Sequence, residues 1–579
     1  MMSRLIYVFG FLVSLTIAAP IQAAWALSAS LRAGEKDELS SLSGSYLVGL
    51  SAIRANDIEV AARFMNNAVN DDPDNVMLLD RALIADVSAG NIGRAGNLAW
   101  CLAALDERHP LANIVLGLEA FGNGRREAAL EYFDLASSTA IGRLTGGLLS
   151  AWAYAAMQDS AQAFATLDRL GDNEIFNPYK TFYSAVIADV LRLDAKATSL
   201  YEQSLSQSGK SPRVVLAYGD FLRRIGRNEQ AEQVYRTYLA DEPGDPLVGE
   251  ALLNLRNGNE SGDFIGNARD GMAEAMFDLA GELNNALNHE MALAYARFAL
   301  DIDPGLVAAR LLLGDILSDM KRYEEANEIY GQIPASSPLY HDAQIRVALD
   351  LDTLGRIDDA AALLQHLSKS FAGDYGIFIT LGDILRADSR FREAAESYSR
   401  AIALMGAPKT RQWALFYFRG ISYERGGQWQ KAEADFLRAL ELKPDQPRVL
   451  NYLAYSWLVQ GHNLNKALDM IETAVRRRPD DGYIVDSLGW GYYCLGEYGT
   501  AVETLEHAVE LTPADPVVND HLGDAYWKVG RKREAVFQWS HARSDDPEPD
   551  LLERLDRKLE KGMTGSREGD STSVARKSA

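Results

Sequence analysis

The chain has 579 residues, 47% of them hydrophobic and 24% charged, with a formal net charge of −23. That acidity excludes a nucleic-acid binder of the ordinary kind, because neutralising phosphates needs clustered Lys and Arg. Two cysteines, Cys101 and Cys494, exclude a disulfide scaffold, and a single compact core would be unusual at this length.

The first element is a short basic start, Met1 to Arg4, followed by an apolar stretch from Leu5 to Ala19, a break at Pro20 and the small-x-small sequence Ala24-Trp25-Ala26. This is the pattern of a secretory signal peptide over residues 1–26, with 27–41 left as a polar leader. The alternative is an uncleaved inner-membrane anchor over Leu5 to Leu27. Pro20 and Gln22 shorten its apolar run below the roughly 20 residues a spanning helix needs. No cysteine follows the apolar stretch, so the pattern of a lipid-modified N-terminus is missing.

From residue 42 the chain keeps time. Ala61, Ala95, Ala129, Ala163, Ala197 and Ala231 stand 34 residues apart, Ala292, Ala326, Ala360 and Ala394 resume the step, and Ala432, Ala467, Ala501 and Ala535 carry it to the C-terminus. A small residue usually stands twelve positions before each alanine, as at Gly117, Gly219, Gly382 and Gly523. A large aromatic often follows the alanine by four, as at Phe133, Tyr235, Tyr398 and Trp539, and proline closes many units. Small residues let two helices approach, large ones fill the groove, and proline ends the second helix. Trp457 and Trp539 therefore read as core. A fixed period of this length means stacked supersecondary units whose function is their surface.

The pattern resembles the tetratricopeptide repeat (TPR) family, which implies an all-α superhelical solenoid of helix-turn-helix pairs, here about 14 units. Six units occupy 42–245, with the weakest matches in 76–109 and 144–211. Residues 246–272 carry five glycines and four asparagines and read as an insertion or hinge, with loop favoured over helix after Arg256. Eight units follow over 273–549. Residues 550–561 read as a charged capping helix with Leu551, Leu552, Leu555 and Leu559 on one side. The Ser-, Gly- and charge-rich tail 562–579 reads as disordered.

The resemblance also implies that the first helix of each pair lines the concave face, with four of its positions pointing inward. In the last three units these are Arg448, Asn451, Tyr455 and Leu458; Tyr483, Asp486, Trp490 and Tyr493; and Val517, Asp520, Asp524 and Trp527. Aromatics beside Asn and Asp suit a recognition groove, because aromatic anchors dominate interface energies. Asp486 and Asp520 would repel a terminal carboxylate, so a basic or aromatic-rich protein segment fits better.

No catalytic site, cofactor or metal is expected. The eight histidines form no metal-spaced set, and no Walker loop, nucleophile elbow or dinucleotide fingerprint occurs. His521 beside Asp520 and Asp524 is the one cluster of note, and it reads as packing or surface. The expectation is a non-enzymatic periplasmic scaffold that binds cell-envelope proteins, with a membrane contact only through an uncleaved signal segment. The alternatives are an inner-membrane-anchored regulator or assembly factor, and a component of polysaccharide export or secretion.

Overall fold

The computed structural model describes residues 41–171, 176–208, 211–259 and 262–563. The expected signal segment, nearly all of the leader and most of the C-terminal tail lie outside them. The described residues form thirty α-helices, from Leu42–Arg54 to Pro549–Lys561, two short 3-10 turns and no strand.

The repeating alanines are where the helix pairs close. All fourteen have no exposed surface. The partner rule is equally specific: a Cβ on Gly219 would come within 2.3 Å of the Tyr235 ring, and one on Gly523 within 2.5 Å of Trp539. A glycine on the first helix thus makes room for the large ring sixteen residues later on the second, and a larger residue would force the helices apart. Trp457 and Trp539 lie in this core.

The turn inside each pair has its own period. Asn56, Gly90, Gly124, Gln158, Arg192 and Gly226 all take positive φ, as do Leu287, Lys321, Gly355 and Ser389. Each ends a first helix in the left-handed conformation that brings the second helix back antiparallel. Where the residue is not glycine, that conformation costs about 1–2 kcal/mol.

The chain divides into two compact units, with the division at residues 330–339. The expected linker 246–272 lies well inside the first of them. Pro246–Asn257 is a helix ended by Gly258 in the left-handed conformation, and a second helix, Ala268–Asn285, starts inside the expected hinge with Asn267 as its cap. The glycines there do different jobs. Gly258 stops a helix, whereas Gly271 allows contact, since a Cβ on it would lie 2.2 Å from the Trp152 ring.

In the first unit, the pair Ala268–Asn285 and His289–Ile302 packs on the first helices Val76–Ser88 and Ala140–Ala156 and bonds to Asn177–Val190 and Pro212–Arg224. These contacts come from first helices, so the pair lies against the face that those helices share. Arg297 donates to the Ser88 carbonyl at 3.3 Å and Thr145 hydrogen-bonds Tyr295 at 2.9 Å, while Asn56 donates at 2.9 Å to the carbonyl of Met320, which ends the following helix Val307–Asp319. Met272, Met276, Leu293 and Tyr295 are buried in that seam.

The second unit holds six regular pairs, from Tyr340–Thr353 and Ile357–Ser370 to Pro516–Lys528 and Lys532–Ser544, and ends on the helix Pro549–Lys561. The step from Ala394 to Ala432 is 38 residues (432 − 394) instead of 34, and the 3-10 turn Thr410–Gln412 before Trp413 takes up the excess. The step from Ala432 to Ala467 is 35 residues (467 − 432), and Asn463, at φ 51°, sits at the start of Leu464–Arg477 within it.

Candidate protein-binding face

The residues expected to line the groove of the second unit lie on three successive first helices, Pro447–Gln460, Gly482–Leu495 and Pro516–Lys528. Each opens with proline or glycine at its first position, and Asp515 caps the third by accepting from the amides of Val517 and Val518. Equivalent positions on neighbouring helices therefore stack into a row.

The centre of the row is a buried ion pair sandwiched with aromatics. His521 Nδ1 lies 2.9 and 3.0 Å from the two Asp486 oxygens, so this nitrogen carries hydrogen. The His521 ring lies on Trp490 with centroids 4.1 Å apart, and Trp490 in turn stacks on Tyr493 at 4.6 Å. Burial opposes charge on His521. Asp486, with Asp520 and Asp524, more than offsets this and raises its pKa above the usual imidazole value.

The far end of the row is closed by the chain itself. Lys558, on the C-terminal helix, donates to Asp520 at 2.6 Å and to Asp524 at 2.8 Å. Trp539 adds a hydrogen bond to Asp524 at 3.0 Å. Burial raises the Asp524 pKa and Lys558 pulls it back. Trp527 packs on Trp539 at 5.3 Å and lies against Gly562, where a Cβ would come within 2.3 Å of its ring.

This arrangement corrects the expected groove in part. Asp520, Asp524 and Trp527 are on the concave helices, but Lys558 and the segment after it cover them, and Asp486 is held by His521. Tyr455 is buried, and burial followed by the Asp486 charge drives its hydroxyl well above the usual phenol value. The reachable residues are Arg448, Tyr483, Asn451, Trp490 and Tyr493, with Tyr483 42% exposed. Three polar atoms here, Asn451 Oδ1, Tyr455 OH and Trp490 Nε1, meet no hydrogen-bonding partner within the protein. Cys494 sits beside them, its thiol pushed up to about 11 by burial. His521 and Lys558 were not expected as partners of this row. Their contacts span 35 and 38 residues, beyond any local pattern.

The corresponding face of the first unit is sealed by side chains of opposite character. Arg213 donates through Nε to Glu274 at 2.5 Å with a second bond beside it, and its guanidinium stacks over Phe264 at 4.6 Å. Tyr183 donates to Asp278 at 2.5 Å. Burial, then the charge of Glu274, pushes the Asp278 carboxyl up to about 7. Glu274 and Asp278 belong to the inserted helix, and Arg213 and Tyr183 to the wall around it.

Among the described residues no group of three or more His, Cys, Asp or Glu is disposed to hold a metal, and no helix is long and apolar enough to cross a membrane. Cys101 and Cys494 are free.

Comparison with known proteins follows the repeat. Tetratricopeptide repeat models match residues 195–255 and 288–346, 346–411, and 413–446. A TPR repeat-containing protein of Pseudomonas aeruginosa is 26% identical over 194 residues, which is 34% of this chain and 32% of that protein. A protein O-mannosyl-transferase of Homo sapiens is 24% identical over 176 residues, 30% of this chain and 20% of the other. The matched stretch thus spans about a third or less of either curated relative. Among solved structures, the Cut9–Hcn1 complex of APC/C aligns over 94% of this chain and 99% of its own, at 14% identity and a TM-score of 0.35.

Proposed function

Since this chain belongs to the tetratricopeptide repeat family, we propose that it is a non-enzymatic scaffold that holds another protein on the concave face of its second unit. One observation carries the choice of face. The first unit's concave wall is filled by residues 268–302, while Arg448, Tyr483 and Trp490 of the second remain open or half-open. Trp490 and Tyr483 are the anchors of this reading, because large aromatics supply most of the energy where an interface is desolvated.

The scaffold works outside the cytoplasm, in the periplasm, and its partners are cell-envelope proteins. Support comes from the basic start, apolar stretch and small-x-small ending of residues 1–26. Sequencing the N-terminus of the protein isolated from its own cells tests this. A mature chain beginning near Leu27 supports export, whereas intact Met1 with the repeats inside the cell ends the periplasmic reading.

The test of the binding face is in-cell photo-crosslinking from a probe replacing Tyr483 in the whole chain. The expected result is one dominant protein adduct that Trp490→Ala diminishes. If probes on the outer helices capture that partner and Tyr483 does not, the face is misassigned.

A further inference from the structure

The C-terminal helix does more than cover the apolar end of the solenoid. Leu551 and Leu555 face inward and are its two buried residues, which suffices for a cap. Its cations are placed differently from ordinary surface charges. Lys558 reaches over Trp539, at 5.8 Å from the ring centre, to sit on both Asp520 and Asp524. Arg554, one turn earlier, extends in the same direction, close enough to Tyr455 for its charge to restrain the rise of that hydroxyl's pKa. Tyr455 belongs to the first helix two units further in. Two cations four residues apart thus lie on the side of the helix that faces the row, Lys558 on the two carboxylates of Pro516–Lys528 and Arg554 within charge reach of Tyr455.

Building on the reading that this face binds protein, we propose that its partner presents an amphipathic helix bearing two Lys or Arg residues four apart, and that residues 549–561 are the internal occupant of that position. The chemistry matches on both sides. The row offers Asp486 on one first helix and Asp520 and Asp524 on the next, beside Trp490 and Trp527, and an i, i+4 cation pair on one helix face suits such a run of carboxylates. The connection 545–548 is short and acidic, with Asp546 in the left-handed conformation. The main packing of the helix is on Lys532–Ser544 of the last pair, so lifting it leaves the contacts between the other five pairs of the unit in place.

The experiment uses a fluorescein-labelled synthetic peptide of residues 547–563 and the full-length chain, wild type and Arg554→Glu/Lys558→Glu. In the variant the tethered helix is repelled from the acidic row, so the wild-type peptide should bind at least tenfold more tightly than to the wild-type chain. That binding should weaken as salt rises and be lost for a peptide carrying Lys558→Glu. Hydrogen exchange on the unaltered chain provides a second readout should the variant not fold: amides of 549–561 should exchange at least tenfold faster than those of Pro516–Lys528. No gain in peptide affinity by a folded variant, or exchange of the two helices in step, overturns the proposal. Failure of the peptide test with capture at Tyr483 intact removes the internal occupant and keeps the scaffold. Peptide binding without capture at Tyr483 does the opposite.

Discussion

The two compact units are built from the same repeat, and the faces formed by their first helices differ. In the first, Glu274 and Asp278 on an inserted helix answer Arg213 and Tyr183 on the wall, and Gly271 seats against Trp152. In the second, comparable positions carry Tyr483, Asp486 and Trp490, and the chain reaches in only at the end through Lys558. A solenoid can spend its inner wall on its own stability or keep it for a partner. The proposed scaffold does each once.

The sharpest way to break the comparison is Gly271→Leu. Its Cβ would begin 2.2 Å from Trp152, so the first unit should lose about 4 kcal/mol or more, while the second unit's melting transition in calorimetry stays in place. Next, Arg213→Ala leaves Glu274 buried and unpaired and should cost about 3–5 kcal/mol in urea unfolding. The double change Arg213→Met/Glu274→Gln should recover most of that loss, because it removes the charge as well as its partner.

A smaller effect concerns pH. The Asp278 carboxyl is raised from 3.8 to about 7, so its contribution to stability is fully present below pH 3.8 and is lost as pH rises through about 7. Asp278→Asn mimics the protonated form and still accepts from Tyr183. It should stabilise the first unit at pH 8 by on the order of 2 kcal/mol and make little difference near pH 4, as measured by thermal melts across that range. The smallest effect is Tyr483→Ala, which should change stability by less than about 0.5 kcal/mol while weakening partner capture.

The repeat was legible because it is local. Alanines at 34-residue spacing, and a glycine sixteen residues before an aromatic, encode the closure of each pair directly. The turn residue was only half legible. Gly90, Gly124 and Gly226 mark it, but Gln158, Arg192, Leu287 and Lys321 adopt the same backbone because the packed pair overrides their preference. The filled face was not legible at all. Arg213 meets Glu274 across 61 residues and Thr145 meets Tyr295 across 150, and composition cannot tell a glycine that loosens a linker from one that admits a tryptophan ring. Lys558 over Asp520 and Asp524 was hidden for the same reason, since the contact with Asp520 spans 38 residues.

Hydroxyl-radical footprinting of the purified chain tests the central claim most directly, since it reads both inner walls at once. Trp152 and Tyr183 have no exposed surface and Tyr483 is 42% exposed, so the account predicts rapid oxidation of Tyr483 and none of Trp152 or Tyr183 while the first unit stays folded. Oxidation of Trp152 and Tyr183 at the rate of Tyr483 in the folded chain would show the first face to be open, and would contradict it.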